Sequence, residues 1–396
     1  MESSPHPRLA IVLSHPIQYY SPWFRWMRAH TDLSFRVFYL SDFGIRPALD
    51  AKFGCEFAWD VDLTSGYDFE FVANVAKRPD TLRFDGLKNP ELFARLRAWS
   101  PDAILLFGYK YNTHVRLIAW ARLHGIPLIF RGDSHLIGRE KRSVFASWGL
   151  RALYRQFAAV TYVGYANRDY FQAFGVPAGK LFFAPHAVDR ALFDPKRAEH
   201  RIRASALRKE LGLPGSARVI LFSGKLISSK QPRSLLDAFI AAEIPDSVLL
   251  IAGDGPEKSD LVARASGLVG SRIHFLPFAN QSEMPARYLL AELFVLPSRG
   301  FYETWGLSVN EAMLMGVPCL VSDHVGCQRD LVTDGQTGWV VPAGDDVALA
   351  TKLRDALAEL KGHGERIRGA ATERAARYSY EQATAGLRAA VVEAVP

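Results

Sequence analysis

Short apolar runs, each closed by glycine, proline or a polar cluster, recur along the chain and alternate with stretches of helical spacing. Leu9 to Leu13, Phe35 to Leu40, Ala103 to Phe107, Pro127 to Phe130, Ala158 to Val163 and Leu181 to Ala184 read as strands in the first half. Val219 to Ser223, Val248 to Ala252, Ile273 to Leu276, Leu293 to Leu296, Pro318 to Val321 and Gly338 to Val341 repeat the pattern in the second. Such runs lack the alternation of a half-exposed sheet, so both faces are expected to be covered by the intervening helices. The prediction is α/β, with two doubly wound, Rossmann-like domains at 1–190 and 200–378. The charged, apolar-poor stretch 190–215 is the linker candidate, and residues 42–90 read as an irregular excursion. Tyr380 to Val392 is a last helix.

The run from Ser298 to Ala312 is where this pattern becomes chemical. A buried strand (Leu293 to Leu296) empties into a glycine-bearing loop, and a helix from Leu307 to Met315 follows, closed by Gly316-Val317-Pro318. The N–H groups of Gly306, Leu307 and Ser308 at such a helix start suit an anion. Glu303 and Glu311 flank it, eight positions apart. Carboxylates repel phosphate, so they are expected to accept hydrogen bonds from neutral hydroxyls nearby. A ligand with hydroxyls on both sides of a diphosphate is a nucleotide-sugar.

Loops at the carboxyl ends of strands line the crevice of an open α/β sheet. That rule makes His15 and Gln18, in the loop after the first strand, candidates for the acceptor side. Tyr109 and Asn112 follow the Ala103 run, with Asn112 also a candidate helix cap. Arg131, Asp133 and His135 follow the Pro127 run, Asp133 being the first choice for a carboxylate in the cleft. Gly224, Lys225 and Lys230 occupy the loop after Ser223, where a lysine supplies a point charge for phosphate.

Composition narrows the class. The 396 residues are 49% hydrophobic and 22% charged, which is globular, and no apolar run approaches bilayer-spanning length. The N-terminus carries Glu2 and only a five-residue apolar run, so no signal peptide is expected. Cys55, Cys319 and Cys327 have neither metal spacing nor an even number, which suits a reducing cytoplasm. The net charge of +7 fits a phosphorylated substrate, an anionic lipid surface or nucleic acid. No basic run interleaved with aromatics marks a nucleic-acid groove, so no such partner is expected. Asp60-Val61-Asp62 has the form of a metal-binding pair but also of an ordinary surface turn, and no metal is expected.

Pro297-Ser298, Glu303, Gly306-Leu307-Ser308, Glu311-Ala312, Gly316-Val317-Pro318 and Gly335-Gln336-Thr337-Gly338 together resemble the signature of family 4 (group 1) glycosyltransferases of the GT-B fold. The resemblance extends to Pro185-His186-Ala187-Val188-Asp189, Gly253-Asp254-Gly255-Pro256 and the loop from Gly224 to Lys230, where Lys225 replaces the family's arginine. It departs after the first strand, which lacks a paired-glycine loop, and at Arg131 to His135, where many members have a histidine nearer the strand. The resemblance implies two domains facing across a cleft, with a C-terminal helix (about 380–396) packed back on the first. It implies a retaining, metal-independent transfer from a nucleotide-diphosphate sugar, UDP- in preference to GDP-, to a hydroxyl- or amine-bearing acceptor. Donor contacts would come from Gly224, Lys225, Lys230, Phe301, Glu303, Gly306, Leu307, Ser308 and Glu311, with Glu303, Asp133 and Lys230 as catalytic candidates. A sugar-nucleotide epimerase and a catalytically silent carbohydrate-binding subunit are the rival readings of the same fold.

Gly138 to Phe157 carries five basic residues (Arg139, Lys141, Arg142, Arg151, Arg155) against Glu140, and has an apolar stripe at Ala146, Leu150, Leu153 and Phe157. Phe145 and Trp148 lie off the stripe. Two readings stand: a helix packed on the sheet in the ordinary way, or a peripheral contact with an anionic membrane's inner face.

Overall fold

The computed structural model describes residues 7–45, 48–50, 55–57, 59–139 and 143–395. Seven parallel strands form the first sheet, in the order Phe69–Phe71, Ser34–Tyr39, Arg8–Leu13, Ala103–Phe107, Leu128–Arg131, Ala159–Tyr162, Leu181–Phe183. Six parallel strands form the second, in the order Ile273–Leu276, Ser247–Ala252, Arg218–Ser223, Leu293–Leu296, Cys319–Ser322, Gly338–Val341. In each sheet the order reverses beside the strand that opens the domain, which is the doubly wound pattern. The α/β expectation therefore holds. Both faces of the first sheet are covered: Leu9, Ile11 and Leu105 bury one side, and Ala10, Val12, Ile104 and Leu106 the other.

Registers place the two switch points at comparable positions. Leu9 to Val12 pair with Ala103 to Leu106, so the loops after Leu13 and Phe107 leave the sheet together. Ile220 and Leu221 pair with Leu293 and Phe294, which sets Gly224-Lys225 beside the Ser298–Gly306 loop. The excursion holds a two-stranded antiparallel pair, Ala48–Asp50 with Cys55–Phe57, and then the edge strand Phe69–Phe71. Helix Ala198–Glu210 lies within the linker stretch.

The chain crosses between the domains a second time. A long helix, Asp346–Ala376, kinks at His363 and ends before Ser379, whose side chain caps helix Tyr380–Ala394 by accepting from Gln382 N. This last helix packs on the Ala159, Leu181 and Leu128 strands of the first sheet. A hydrogen bond from Trp23 Nε1 to Thr384 Oγ1 (2.9 Å) ties it down. Its closest approach needs glycine: a Cβ on Gly386 would stand 1.8 Å from the Phe183 carbonyl oxygen.

Asn112 is the first residue of its helix, Asn112–Leu123, and not the cap, because Tyr111 occupies that place with extended backbone. Two residues on, His114 is buried against Tyr111 with both ring nitrogens lacking a hydrogen-bond partner. Burial lowers its pKa from 6.5 to about 3. The unfolded chain then takes up a proton near pH 6.5 that the folded chain refuses, so stability falls as pH drops through that range. Between pH 6.5 and about 4.5 this one group removes on the order of 2–3 kcal/mol. His114→Phe keeps an aromatic ring and cannot titrate. Urea unfolding at both pH values should show a smaller acid loss in the variant by that amount. Equal losses in the two proteins would assign the acid limb to other groups.

Candidate active site

The cavity between the switch points, of ≈ 560 Å³, draws its walls from both domains. From the first come His15, Gln18, Tyr19, Tyr20, Phe43, Trp59, Asp133 and His186. From the second come Gly224, Lys225, Lys230, Phe278, Gln281, Tyr288, Glu303 to Ser308 and Glu311. A larger, open groove of ≈ 800 Å³ lies where the chain crosses between domains. None of the predicted site residues lines it, so the chemistry belongs to the smaller cavity.

Its floor is the start of helix Leu307–Leu314. Gly306 caps it with φ 99°, a left-handed conformation, and a Cβ there would meet Val325 Cγ1 at 2.9 Å. The turn thereby aims the first N–H groups of the helix at the cavity, with the positive end of its dipole. Lys230, at the end of the short helical turn Ser228–Lys230, forms an ion pair with Glu303. Ser298 Oγ donates to the same carboxylate oxygen of Glu303 at 3.0 Å. The cation expected on phosphate and the carboxylate expected on neutral hydroxyls therefore meet each other here.

Glu311 is deeper than a carboxylate waiting in solvent. It is 3% exposed, and accepts hydrogen bonds from Tyr19 (2.8 Å), Tyr288 (2.7 Å) and Gln281 (3.4 Å). Burial raises its pKa, and the three donors oppose that without cancelling it. Tyr19 reaches it from the first domain.

Asp133 faces the cavity from the other side, with Thr304 Oγ1 donating to it at 2.8 Å across the domain boundary. His186 Nε2 stands 3.7 Å away, wedged between the Tyr20 and Trp305 rings. Desolvation alone would raise the Asp133 carboxyl, but His186 and Thr304 outweigh it and hold it at about 2. Burial lowers His186 in turn, against the pull of Asp133. The 3.7 Å separation is long for a hydrogen bond, so Thr304 is the firmer partner. Burial also lowers His15 to about 4, which leaves a neutral ring with Ser14 Oγ 2.9 Å from Nδ1.

Four predicted site residues turn away from the cavity. Arg131 is 2% exposed, donates to the Ala184 and Pro185 carbonyls, and sits over the Tyr20, Trp23 and Phe107 rings. It holds the loop that carries His186. His135 is fully buried, 3.1 Å from the Glu303 carbonyl, and fastens that loop to the first domain. Tyr109 packs on Phe130 and Tyr154, inside the first domain. Phe301 stacks on Tyr302 under the Arg139 guanidinium, outside the cavity wall.

Sequence reasoning missed Tyr19 and Thr304, each beside a residue already singled out, and gave His186 no role although it lay in a motif that carried the resemblance; hydroxyl and imidazole partners across a domain boundary leave no periodic signal. Asp60 accepts from Ser282 N (3.2 Å), and Asp62 is held by Arg25, Thr64 and Ser65. The Asp60-Val61-Asp62 turn is thus a docking point for the excursion. Among the described residues no group of three or more His, Cys, Asp or Glu is placed to hold a metal ion. Lys141 and Arg142, part of the basic run near residue 140, lie outside the described residues.

Two facing parallel sheets with an anion-directed helix start and paired lysines at the second switch point define a GT-B sugar-transfer scaffold. Known families agree. Residues 204–374 match the family described as "Glycosyl transferases group 1", and residues 60–187 match "Glycosyl transferase 4-like domain". The chain belongs to the family 4 (group 1) glycosyltransferases, enzymes that move a sugar from an activated donor to an acceptor. An alpha-D-kanosaminyltransferase of Streptomyces kanamyceticus is 29% identical over 66% of this chain and 69% of its own. A GDP-mannose-dependent phosphatidylinositol monomannoside mannosyltransferase of Mycolicibacterium smegmatis is 32% identical over 54% of this chain and 56% of its own. Anabaena HepE, solved with UDP and glucose, superposes with a TM-score of 0.69 at 17% identity, covering 98% of this chain and 100% of that one.

Thr304→Val removes the hydroxyl that donates to Asp133 while keeping the side chain's shape. Loss of a charge-assisted bond should raise the Asp133 carboxyl by about one unit, toward its ordinary range. Carbon NMR titration of labelled aspartate reads this directly. An unchanged value would mean that His186 alone holds the carboxylate ionised.

Proposed function

We propose that this chain transfers a sugar, with retention of anomeric configuration, from a UDP-sugar in preference to a GDP-sugar, to a hydroxyl- or amine-bearing acceptor, without a metal ion. The observation carrying this reading is the set of cavity groups supplied by the second switch point: Lys225, Lys230, Glu303, the Gly306–Ser308 helix start and Glu311. HepE, which shares the fold, was solved with UDP and glucose, which supports uridine. The mannosyltransferase relative is named for GDP-mannose and acts on a lipid, which keeps guanosine and a lipid-linked acceptor as outcomes to test.

In this reading the diphosphate lies on the helix start, between the two lysines. Charge builds on the leaving phosphate as the glycosidic bond lengthens, and fixed N–H groups and ammonium charges stabilise it there without reorganising. The acceptor approaches the same face and gives its proton to a departing phosphate oxygen, so no enzyme nucleophile is needed. Lys230 turns from Glu303 to phosphate, and Glu303 then accepts from the sugar's hydroxyls. Asp133, held ionised, favours positive charge developing at the anomeric carbon. Neutral His15 and Gln18 line the acceptor side.

Thermal-shift titration with UDP-, GDP-, ADP- and dTDP-sugars tests the donor, because a ligand bound to the folded state raises the midpoint with its affinity. Proton NMR of the product in excess EDTA tests the rest. The expected outcome is a midpoint raised most by a UDP-sugar and a product of unchanged anomeric configuration, formed undiminished in chelator. An inverted anomer, or loss of transfer restored by magnesium, would overturn the mechanism. A modified free sugar-nucleotide would make the chain an epimerase.

Glu311 is assigned to the ribose hydroxyls, which must then displace Tyr19. Tyr19→Phe removes a competitor from the free enzyme. UDP affinity by calorimetry should rise several-fold, equivalent to about 1 kcal/mol. Unchanged or weaker binding would show that Tyr19 stays on Glu311 when nucleotide is bound.

A further inference from the structure

Helix Val144–Tyr154 buries Leu150 and Tyr154 against the first domain but extends its opening turns into water. Val144 is 82% exposed, Phe145 88% and Trp148 70%. Val144 and Trp148, at i and i+4, share one face, and Phe145 flanks it about 100° round the helix. Exposed apolar side chains in other described helices come singly, as Ile202 and Val392 do, or well apart, as Val115 and Leu123 do, which is ordinary. Only here do three large ones fall within five residues of a described helix. Continuing along that face, Arg151 and Arg155 lie three and seven residues beyond Trp148, both exposed. No acidic residue occurs from Ser143 to Phe157, and Lys141 and Arg142 precede it in the sequence.

We infer that this face docks on a bilayer surface containing anionic lipid. An apolar and aromatic tip next to a line of arginines matches the depth profile of a leaflet: acyl boundary first, then phosphate headgroups. The net charge of the whole chain, +7, has the same sign. A second protein copy would have to accept two arginines with no acid on this helix to pair with its own. Charge therefore selects the lipid.

Position gives the docking a purpose. The loop before the helix abuts the donor site's loop: a Cβ on Gly138 would stand 2.8 Å from Gly300 C, and Arg139 lies over the Phe301 ring. Six residue steps separate Gly138 from Val144, which limits their separation to about 20 Å. A bilayer held by Phe145 and Trp148 is thus held within reach of the cavity's rim.

The test is flotation of the full chain with vesicles of phosphatidylcholine alone and of phosphatidylcholine with phosphatidylglycerol. Binding to the anionic vesicles is expected, and should weaken in high salt. Phe145→Ser/Trp148→Ser should lower partitioning at least roughly tenfold. Arg151→Gln/Arg155→Gln should do the same, by about tenfold or more. Unshifted UDP-sugar thermal response in both variants confirms folding, and because flotation involves no transfer, its failure is distinct from failure of the proposed function. No flotation with anionic vesicles, or equal flotation of wild type and variants, overturns the inference. So does a concentration-dependent dimer that Phe145→Ser/Trp148→Ser abolishes, since the face would then belong to a second copy.

Discussion

Three carboxylates, Glu311 and Asp330 buried and Asp133 half-exposed in the cleft, each take a donor from the opposite domain, and the placement of the two sheets depends on that exchange. Glu311 of the second domain receives the Tyr19 hydroxyl, and Asp133 of the first receives Thr304. Asp330 of the second takes the Tyr165 backbone N–H on both oxygens (3.1 Å each), at the start of helix Tyr165–Ala173. A carboxylate removed from water must be hydrogen-bonded or protonated. Asp330 shows the tension: burial raises it to about 6 although Tyr165, Tyr378, Arg329 and Arg168 all pull the other way. Separating the domains would return these groups to water and erase both the strain and the bonds. The cleft is thus bridged at Glu311 and Asp133 by groups that are also its polar lining.

Such an arrangement couples recognition to geometry. Two of the three bridges, Tyr19 to Glu311 and Thr304 to Asp133, stand in the cavity wall. A ligand that satisfies Glu311 or Asp133 with its own hydroxyls competes with a bridge between domains, so its binding energy bears on the domain closure as well as on the site. The third bridge, at Asp330, is outside the cavity and is indifferent to the ligand. It fixes one edge while the other two can exchange.

The fold class was legible because short, mostly apolar runs without alternation, separated by helical stretches, suit the doubly covered strands of a parallel sheet, and Ile273–Leu276, Leu293–Leu296 and Gly338–Val341 form as read. At the second switch point the backbone itself makes much of the site, so Gly224, Gly306 and the helix start could be placed from glycine and strand order. The first domain was harder. A strand end says which loop reaches the crevice, not where each side chain turns, and Arg131, His135 and Tyr109 turn inward because carbonyls and aromatic rings inside offer them partners. The missing donors were harder still: Tyr19 and Glu311 are 292 residues apart. Helix 144–154 divides the two readings of its segment, since Leu150 and Tyr154 pack in the ordinary way while Phe145 and Trp148 do not.

The return of the chain to its first domain has a mechanical meaning. Residues Asp189 to Lys196 form one crossing and Ala376 to Tyr380 the other, and both line the same open groove. Bodies joined by a single strand can swivel about any axis through the joint. Joined at two neighbouring points, they retain only rotation about the line through both, as a door retains only its swing. The last helix, by ending on the far sheet, turns a tether into a pair of pins.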